Sequence, residues 1–377
     1  MISSDLRRAL RQAAATAGFP PGADPGLRPT GIPGQYAASV ARALGGHPRE
    51  TARDLAAALA DAPWIERAEV TGPGYVTVTV TAAALAAVAD RVTEAGPGCA
   101  ASDALAGVTL TAPPPGDPLA AGTWEEARSA LAARLTARLA AAAGAEVPVA
   151  TRHRSGQQGT EPDANPRQQD HLASGEIAAA VAFAGRDAVT FALARAIPGR
   201  PLRVEPEIIA RHVAANPAYA VRYAHARAAS GVRWALIARG DDPPYLPLSR
   251  HAGPMAETAI VSGPPAGTVT WEDTGKTVRE AGAVPRRSPA DPGELALLDA
   301  LSWLPERVAV AARRGRPDEF ARYLEELAGV TVDVLSAVCH QGNAAAPGSG
   351  RLTLARAART GLAAGLGLLE VSAPERL

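Results

Sequence analysis

The chain has 377 residues with a formal net charge of zero, and 47% of its residues are hydrophobic against 20% charged. This length exceeds what one hydrophobic core organises, so we expect two or three domains, and the composition excludes a mainly disordered chain. Because there is no net charge, affinity for nucleic acid or for an anionic membrane must come from a local patch.

Cysteine usage and the absence of long apolar runs limit the class of protein further. Cys99 and Cys339 are the only cysteines and lack metal-site spacing, so neither a disulfide framework nor a thiolate zinc site is predicted. The N-terminal segment has arginines in its middle, and no later run is long enough to span a bilayer. We therefore expect a protein of the reducing cytoplasm without a membrane partner.

The first segment, residues 1–97, is predicted to be a small α/β domain. An amphipathic start bearing arginines precedes a helix predicted over 48–62. Strands are expected at 66–70 and at Tyr75–Val80, where the alternation in YVTVTV indicates a half-buried strand, and the TGPG between them predicts a hairpin turn.

The second segment, residues 105–176, is predicted to hold one strand, a loop and one helix, followed by a polar linker. The strand is expected at 108–111, ahead of three prolines, and the helix at 123–143. Residues 152–171 are rich in Gln, Pro and Gly and show no apolar periodicity, which predicts an exposed connection. We place a domain boundary there.

The third segment, residues 177–377, is predicted to be an all-α bundle. Helical patterns run over 177–195, 205–239 and 295–369, and a Pro/Gly-rich insertion occupies 240–293. The chain as a whole therefore belongs to the α+β multidomain class.

No complete catalytic or metal-binding motif is present in the sequence. DTGKT at 273–277 resembles the end of a phosphate-binding loop but lacks the first glycine, and GSG at 348–350 lacks the outer glycine spacing of a nucleophile elbow. The seven histidines are scattered and share no helix face. We expect neither a metal nor a cofactor.

The segment from 208 to 240 contains five arginines and no acidic residue. If 215–236 is helical, Tyr219, Arg222 and Tyr223 project on one side, a combination that suits unpaired RNA bases and phosphates. The same pattern also fits an ordinary helix, with Tyr223 and His225 in the core and a solvated arginine face. Residue types alone favour the second interpretation.

Several motifs of the chain resemble those of one known family. The stretch NPAYAVRYAHAR at 216–227 is similar to the N-P-x-Y-Y-V-Q-Y-A-H-A-R signature of the DALR-type anticodon-binding domain of arginyl-tRNA synthetases, with Ala220 and Arg222 departing from it. GRDAVTFALAR, ARYLEELA and GLGLLEVSAPERL, further along the chain, match other family motifs in the family's order. HPRE and VTGPGY, near the N-terminus, resemble the family's tRNA-elbow-binding appendage. The set looks like an actinobacterial-type paralogue.

The resemblance implies an N-terminal appendage, a vestigial nucleotide-fold fragment at 105–176 and a helical anticodon-binding domain. In the family, a loop with two histidines and a lysine-rich K-M-S-K-S loop stabilise adenylation, but 108–128 contains no histidine and Lys276 is the only lysine. Transfer of phosphates needs such preplaced cations and N–H donors. The sequence therefore predicts a protein that is not an enzyme.

The predicted function is binding of a tRNA, with arginine tRNA as the candidate, by a non-catalytic relative of the synthetases. The predicted RNA-binding residues are Tyr219, Arg222, Tyr223, Arg227, Arg376 and Leu377, with the rings stacking on splayed bases and the arginines contacting phosphates or base edges. His225 is assigned to packing. One alternative is an accessory protein that packs against arginyl-tRNA synthetase or another partner without binding RNA. A weaker alternative is residual arginine-tRNA ligase activity with ATP.

Overall fold

A computed structural model describes residues 2–16, 24–39, 41, 47–148, 167–237, 291–340 and 349–377, with backbone alone at 167–174, 337–340 and 349. Residues 152–166 of the predicted linker and 240–290 of the predicted insertion lie outside the described residues. The end of the predicted linker is wrong, because residues 167–171 already belong to a helix.

The N-terminal part consists of a four-stranded antiparallel sheet and two helices, of which the second packs on the sheet and the first packs on the second. Its elements are α1 (Ile2–Thr16), β1 (Arg28–Pro29), β2 (Gln35–Ala38), α2 (Pro48–Ala60), β3 (Ile65–Thr71) and β4 (Tyr75–Val80), and the strand order is β1-β2-β4-β3. The predicted hairpin is confirmed. Its TGPG turn needs glycine at Gly74, where φ is 109° and a Cβ would lie 2.9 Å from the carbonyl oxygen of Pro48.

The middle part is helical, and its predicted strand is shorter than expected. The helices are α3 (Ala82–Ala86), α4 (Val88–Ala95) and α5 (Trp124–Ala142), and α5 begins with a capping box between Thr123 and Glu126. Instead of a strand at 108–111 there is one parallel bridge, from Thr109 to Glu146. The N–H groups of Leu110 and Ala112 continue the pairing to the carbonyl oxygens of Glu146 and Pro148, both at 2.9 Å, and the prolines that follow Ala112 have no N–H with which to extend it.

The C-terminal part is all-α, as predicted. Its helices are α6 (Arg167–Ala184), α7 (Arg186–Arg195), α8 (Pro206–Ile209), α9 (Pro217–Ile237), α10 (Pro292–Ser302), α11 (Leu304–Arg314), α12 (Pro317–His340) and α13 (Ser349–Leu368). Gly185, with φ of 85°, separates α6 from α7, whose axes differ by 113°. The α+β class with a helical C-terminal part is confirmed.

The continuous helix predicted over 205–239 is wrong, because a loop at 210–216 separates α8 from α9. Pro217 disfavours a helical Asn216 and supplies no N–H. The Asn216 side-chain amide instead donates to the carbonyl oxygens of Ile209 and Arg211, both at 2.7 Å. These two bonds hold the loop against the start of α9.

A single apolar core runs from the N-terminal sheet into the helical part. The ring of Tyr36 lies 5.0 Å from that of Trp303, and its hydroxyl is 2.6 Å from Ser302 Oγ. Burial raises the pKa of Asp299, which accepts the N–H of Gly34 at 2.9 Å. The N-terminal sheet is therefore fixed against α10 and α11, and α9 packs on α12 and α13.

Candidate nucleic-acid interface

Three stacked rings stand at the start of α9. The centroids of His212 and Tyr219 are 5.2 Å apart with nearly parallel planes, and those of Tyr219 and Tyr223 are 5.7 Å apart. Tyr219 and Tyr223 are one helical turn apart, so their rings lie on one face. Tyr223 is 40% exposed, which leaves the outer end of the stack accessible. Stacked, accessible rings of this kind suit an unpaired base.

Trp234 extends this face and was missed from the sequence. It lies eleven residues after Tyr223, which is close to three helical turns, and it is 67% exposed. Ile237, one turn further along a face shared with Tyr219, is 50% exposed. The helical spacing of Trp234 from Tyr223 was sufficient to predict its place on this face. It was not predicted because the stretch that resembles the anticodon-binding signature ends at Arg227.

Arg222 does not project freely from α9. Its Nη2 lies 3.4 Å from a carboxylate oxygen of Asp187, at the start of α7, and its side chain is only 27% exposed. Asp187 also accepts a hydrogen bond from the backbone N–H of Ser372 at 3.2 Å and another from the Ser372 hydroxyl. The predicted acid-free patch therefore receives a carboxylate from another helix, because Asp187 is remote in sequence but adjacent in space.

The C-terminal tail lies along the neighbouring flank of α9. Arg233 donates to the carbonyl oxygen of Glu375 at 3.2 Å and lies 3.7 Å from its carboxylate, which also pairs with Arg359 at 2.5 Å. These contacts bring the end of the chain to the helix that carries the stacked rings. Arg376 and Leu377, which directly follow Glu375, are both exposed beside this flank.

His225 is buried on the tail side of α9 and bonds to Pro374, 2.8 Å from Nδ1 to the carbonyl oxygen. Since a carbonyl only accepts, Nδ1 carries the proton. Burial lowers the pKa of His225 below its ordinary value, against opposing contributions from the bond to Pro374 and the charge of Glu375. Its assignment to packing agrees with this environment.

The remaining predicted residue, Arg227, is half-buried one turn beyond Tyr223 and has an interaction partner. Tyr219, Tyr223 and Arg227 therefore follow one another along the helix face, while Arg222 lies to one side among tail contacts. The structure brings the predicted set to one region but divides it between an accessible ring stack and a docked tail.

Two family models match the chain. "Arginyl tRNA synthetase N terminal domain" covers residues 4–80, and "DALR anticodon binding domain" covers residues 273–377. The chain is a relative of the arginyl-tRNA synthetases. This confirms the resemblance drawn from the sequence motifs at both ends of the chain.

Curated relatives of this synthetase-related chain are named arginine--tRNA ligase. That of Frankia alni is 34% identical over 197 residues, which are 51% of this chain and 29% of the relative. That of Paenarthrobacter aurescens is 31% identical over 206 residues, which are 54% of this chain and 30% of the relative. The matched part thus spans less than a third of the length of these relatives.

The fold also resembles a solved synthetase. The structure titled Thermus thermophilus arginyl-tRNA synthetase aligns over the full span of both chains with a TM-score of 0.59 and 14% identity. At this identity, the likeness concerns the fold alone. It agrees with an N-terminal α/β part joined to a helical anticodon-binding-type part.

The prediction that the synthetase-related chain is not an enzyme is wrong on these comparisons, because the matched relatives carry the name of an enzyme. The histidines and lysines missing from its motifs do not by themselves establish inactivity. Within the described ranges, no group of three or more His, Cys, Asp or Glu residues is placed to hold a metal. No single described helix is long and apolar enough to cross a membrane. Among the described helices, the bent pair α6–α7 reaches that length and apolar character only when its two members are counted together.

Proposed function

We propose that the helical domain, residues 177–377, binds the unpaired loop of a tRNA along the accessible face of α9. The proposal rests on one observation, the stack of His212, Tyr219 and Tyr223 that ends in an exposed ring. A base placed on Tyr223 would continue a stack that is already assembled, so little side-chain entropy is lost on binding. The match to an anticodon-binding domain supports the same ligand.

The predicted residues have different roles in this proposal. Tyr223 stacks on a base, and the ring of Tyr219 packs against the opposite face of the Tyr223 ring. Arg227 and Arg376 contact phosphates or base edges, and Leu377 supplies apolar contact at the edge of the site. Arg222 holds the C-terminal tail through Asp187 and acts on RNA only indirectly. Arginine tRNA is the candidate ligand, by analogy with the relatives' name.

The test is binding of a labelled arginine-tRNA transcript, followed by fluorescence anisotropy at several salt concentrations. Removing one stacking ring costs about 1–3 kcal/mol, so Tyr223→Ala is expected to weaken binding by roughly 5- to 150-fold. Phe183→Ala is the matched control, because it removes another exposed ring, 64% accessible, from α6. Affinity is also expected to fall as salt rises, in proportion to the phosphates contacted.

Two results would count against this function. Equal weakening by Tyr223→Ala and Phe183→Ala would mean that the ring stack is not the contact. Absence of tRNA retention by the unaltered protein at low salt would end the proposal and favour a protein partner, such as arginyl-tRNA synthetase, for this helix face.

A further inference from the structure

A cavity of about 380 Å³ opens between α7, the loop after it, the start of α9 and α12. Its volume lies within the range of roughly 300–1,000 Å³ that is usual for ligand pockets. Every ionisable side chain that lines it is basic: Arg128, Arg195, Arg200, Arg203 and Arg322. In a chain with no net charge, five guanidinium groups around one cavity are a strong local concentration of positive charge.

Three of these arginines build the walls. Arg195 pairs with Glu325 at 2.5 Å, and Arg322 lies 3.7 Å from Asp318. Arg128, which is buried and pairs with Glu125, donates to the backbone carbonyl oxygens of Ile197 at 3.3 Å and Arg200 at 2.8 Å. These bonds fix the loop after α7 and so fix the backbone position from which Arg200 projects.

The other two arginines have no such role. Arg200 and Arg203 are exposed at the rim, and within the described part of the chain neither forms an ion pair. The first turn of α9, at Pro217 and Ala218, lines the same cavity. The N-terminal end of a 21-residue helix adds positive potential there. The uncompensated charge therefore faces the space between fixed walls.

The lining also contains apolar surface from Phe191, Ala192 and Ile209. An apolar floor lowers the local dielectric and strengthens the attraction between the arginines and an anion. Guanidinium groups bind a tetrahedral phosphate through paired N–H donors. Two unpaired guanidiniums carry two positive charges, which suits an anion with more than the single negative charge of a carboxylate. We propose that this cavity is a binding site for a phosphate group, held by Arg200 and Arg203.

The phosphate has two possible sources, a free phosphorylated molecule or the backbone of a bound RNA. The cavity adjoins the stacked rings through Asn216, Pro217 and Ala218, which precede Tyr219 directly. An RNA backbone phosphate next to a base stacked on Tyr223 would enter the cavity from the α9 side. A free diphosphate would enter from the open rim instead. The chemistry of recognition is the same in both cases.

The test uses the full chain and two titrations at low salt, one with inorganic pyrophosphate followed by calorimetry and one with labelled tRNA. Arg200→Gln with Arg203→Gln removes the unpaired cations. Arg8→Gln with Arg67→Gln is the matched control, because both residues are exposed on the N-terminal part and their loss changes the net charge equally. Ala192→Leu keeps every charge but fills the cavity.

A free-phosphate site would be established by three results together. The unaltered protein and the control bind one pyrophosphate per chain, the Arg200/Arg203 double variant does not bind it, and Ala192→Leu binds it at least tenfold more weakly. If pyrophosphate does not bind, a decrease of at least threefold in tRNA affinity, confined to the Arg200/Arg203 pair and Ala192→Leu, would assign the site to an RNA phosphate. Pyrophosphate binding does not depend on the proposed tRNA function, so the two can fail separately. Failure of both titrations to separate these variants from the control would overturn the phosphate site.

Discussion

Arg7 on α1 and Glu306 on α11 form a two-pronged ion pair across 299 residues of sequence, with Arg7 Nε at 3.0 Å and Nη2 at 2.6 Å from Glu306 Oε2. Both side chains are buried, at 1% and 4% exposure, and Asp24 accepts another bond from Arg7 at 2.9 Å. Although burial opposes the charged form, the contacts with Glu306 and Asp24 raise the pKa of Arg7. The pair joins the N-terminal part to the helical part.

Removing the charge of Glu306 is therefore expected to destabilise the whole chain. Glu306→Gln leaves a buried guanidinium for which Asp24 is the one remaining carboxylate partner among the described residues, at a cost of about 3 kcal/mol in the free energy of unfolding. Urea denaturation measures this change. Glu319→Gln removes a carboxylate from an exposed pair with Arg314 and is expected to cost less than about 1 kcal/mol. Similar costs for the two substitutions would contradict this account.

Close packing of α13 on α12 predicts opposite effects for two glycines of α13. A Cβ at Gly365 would lie 2.4 Å from Leu324 Cδ2, and Leu324 is fully buried, so Gly365→Ala is expected to cost about 1–3 kcal/mol. At Gly367 a Cβ would meet nothing within 4 Å, and Gly367→Ala is expected to stabilise by up to about 1 kcal/mol. Thermal unfolding of the two variants measures both effects, and a stabilising Gly365→Ala would show that Leu324 has room to move.

Stability is expected to fall with acid through His225. Burial lowers its pKa in the folded protein, so the unfolded chain binds a proton more readily, and the contribution is present above the ordinary pKa of about 6.5. It is lost as the pH falls below that value towards the lowered pKa. Denaturation of the unaltered protein and of His225→Gln between pH 7.5 and 5.5 measures it. Glu375 and Arg359 also face this histidine, and both stay in place in His225→Gln. An equal pH dependence in the two proteins would therefore show that it does not come from His225.

The pair between Arg222 and Asp187 predicts a structural effect of Arg222. Arg222→Gln and Asp187→Asn are both expected to loosen the C-terminal tail, seen as faster hydrogen exchange at the N–H of Ser372, which Asp187 accepts. In tRNA binding, both variants are expected to show a similar loss, smaller than that of Tyr223→Ala. A large loss confined to Arg222→Gln would instead show that this guanidinium contacts RNA directly.

Local sequence signals predicted the local structure of this chain. The TGPG hairpin and the helix after Thr123 follow from turn and capping chemistry that acts over a few residues. The break before Pro217 was predictable from the proline but was missed, because the apolar pattern on either side continues through it. The position of Trp234 on the same helix face as Tyr223 could likewise have been predicted from helical spacing.

The environment of the arginines was not predictable from the sequence. Asp187 reaches Arg222 and Glu375 reaches Arg233 from positions remote along the chain, and only the packing of α7 and of the tail on α9 brings them together. A count of acidic residues within 208–240 therefore overestimated the free positive charge there. The cluster around Arg200 escaped notice for the same reason, since its members come from four separate elements.

The distance along the chain between Arg7 and Glu306 also has a consequence for synthesis on the ribosome. At roughly 5–20 residues per second, the ribosome needs about 15–60 s to add the 299 residues from position 8 to Glu306. Asp24 appears early and neutralises Arg7 in part, but the carboxylate that allows full burial arrives late. The face of α1 that carries Arg7 therefore stays open to other proteins until Glu306 has been made, and the final packing of the N-terminal part is expected to be a late step in folding.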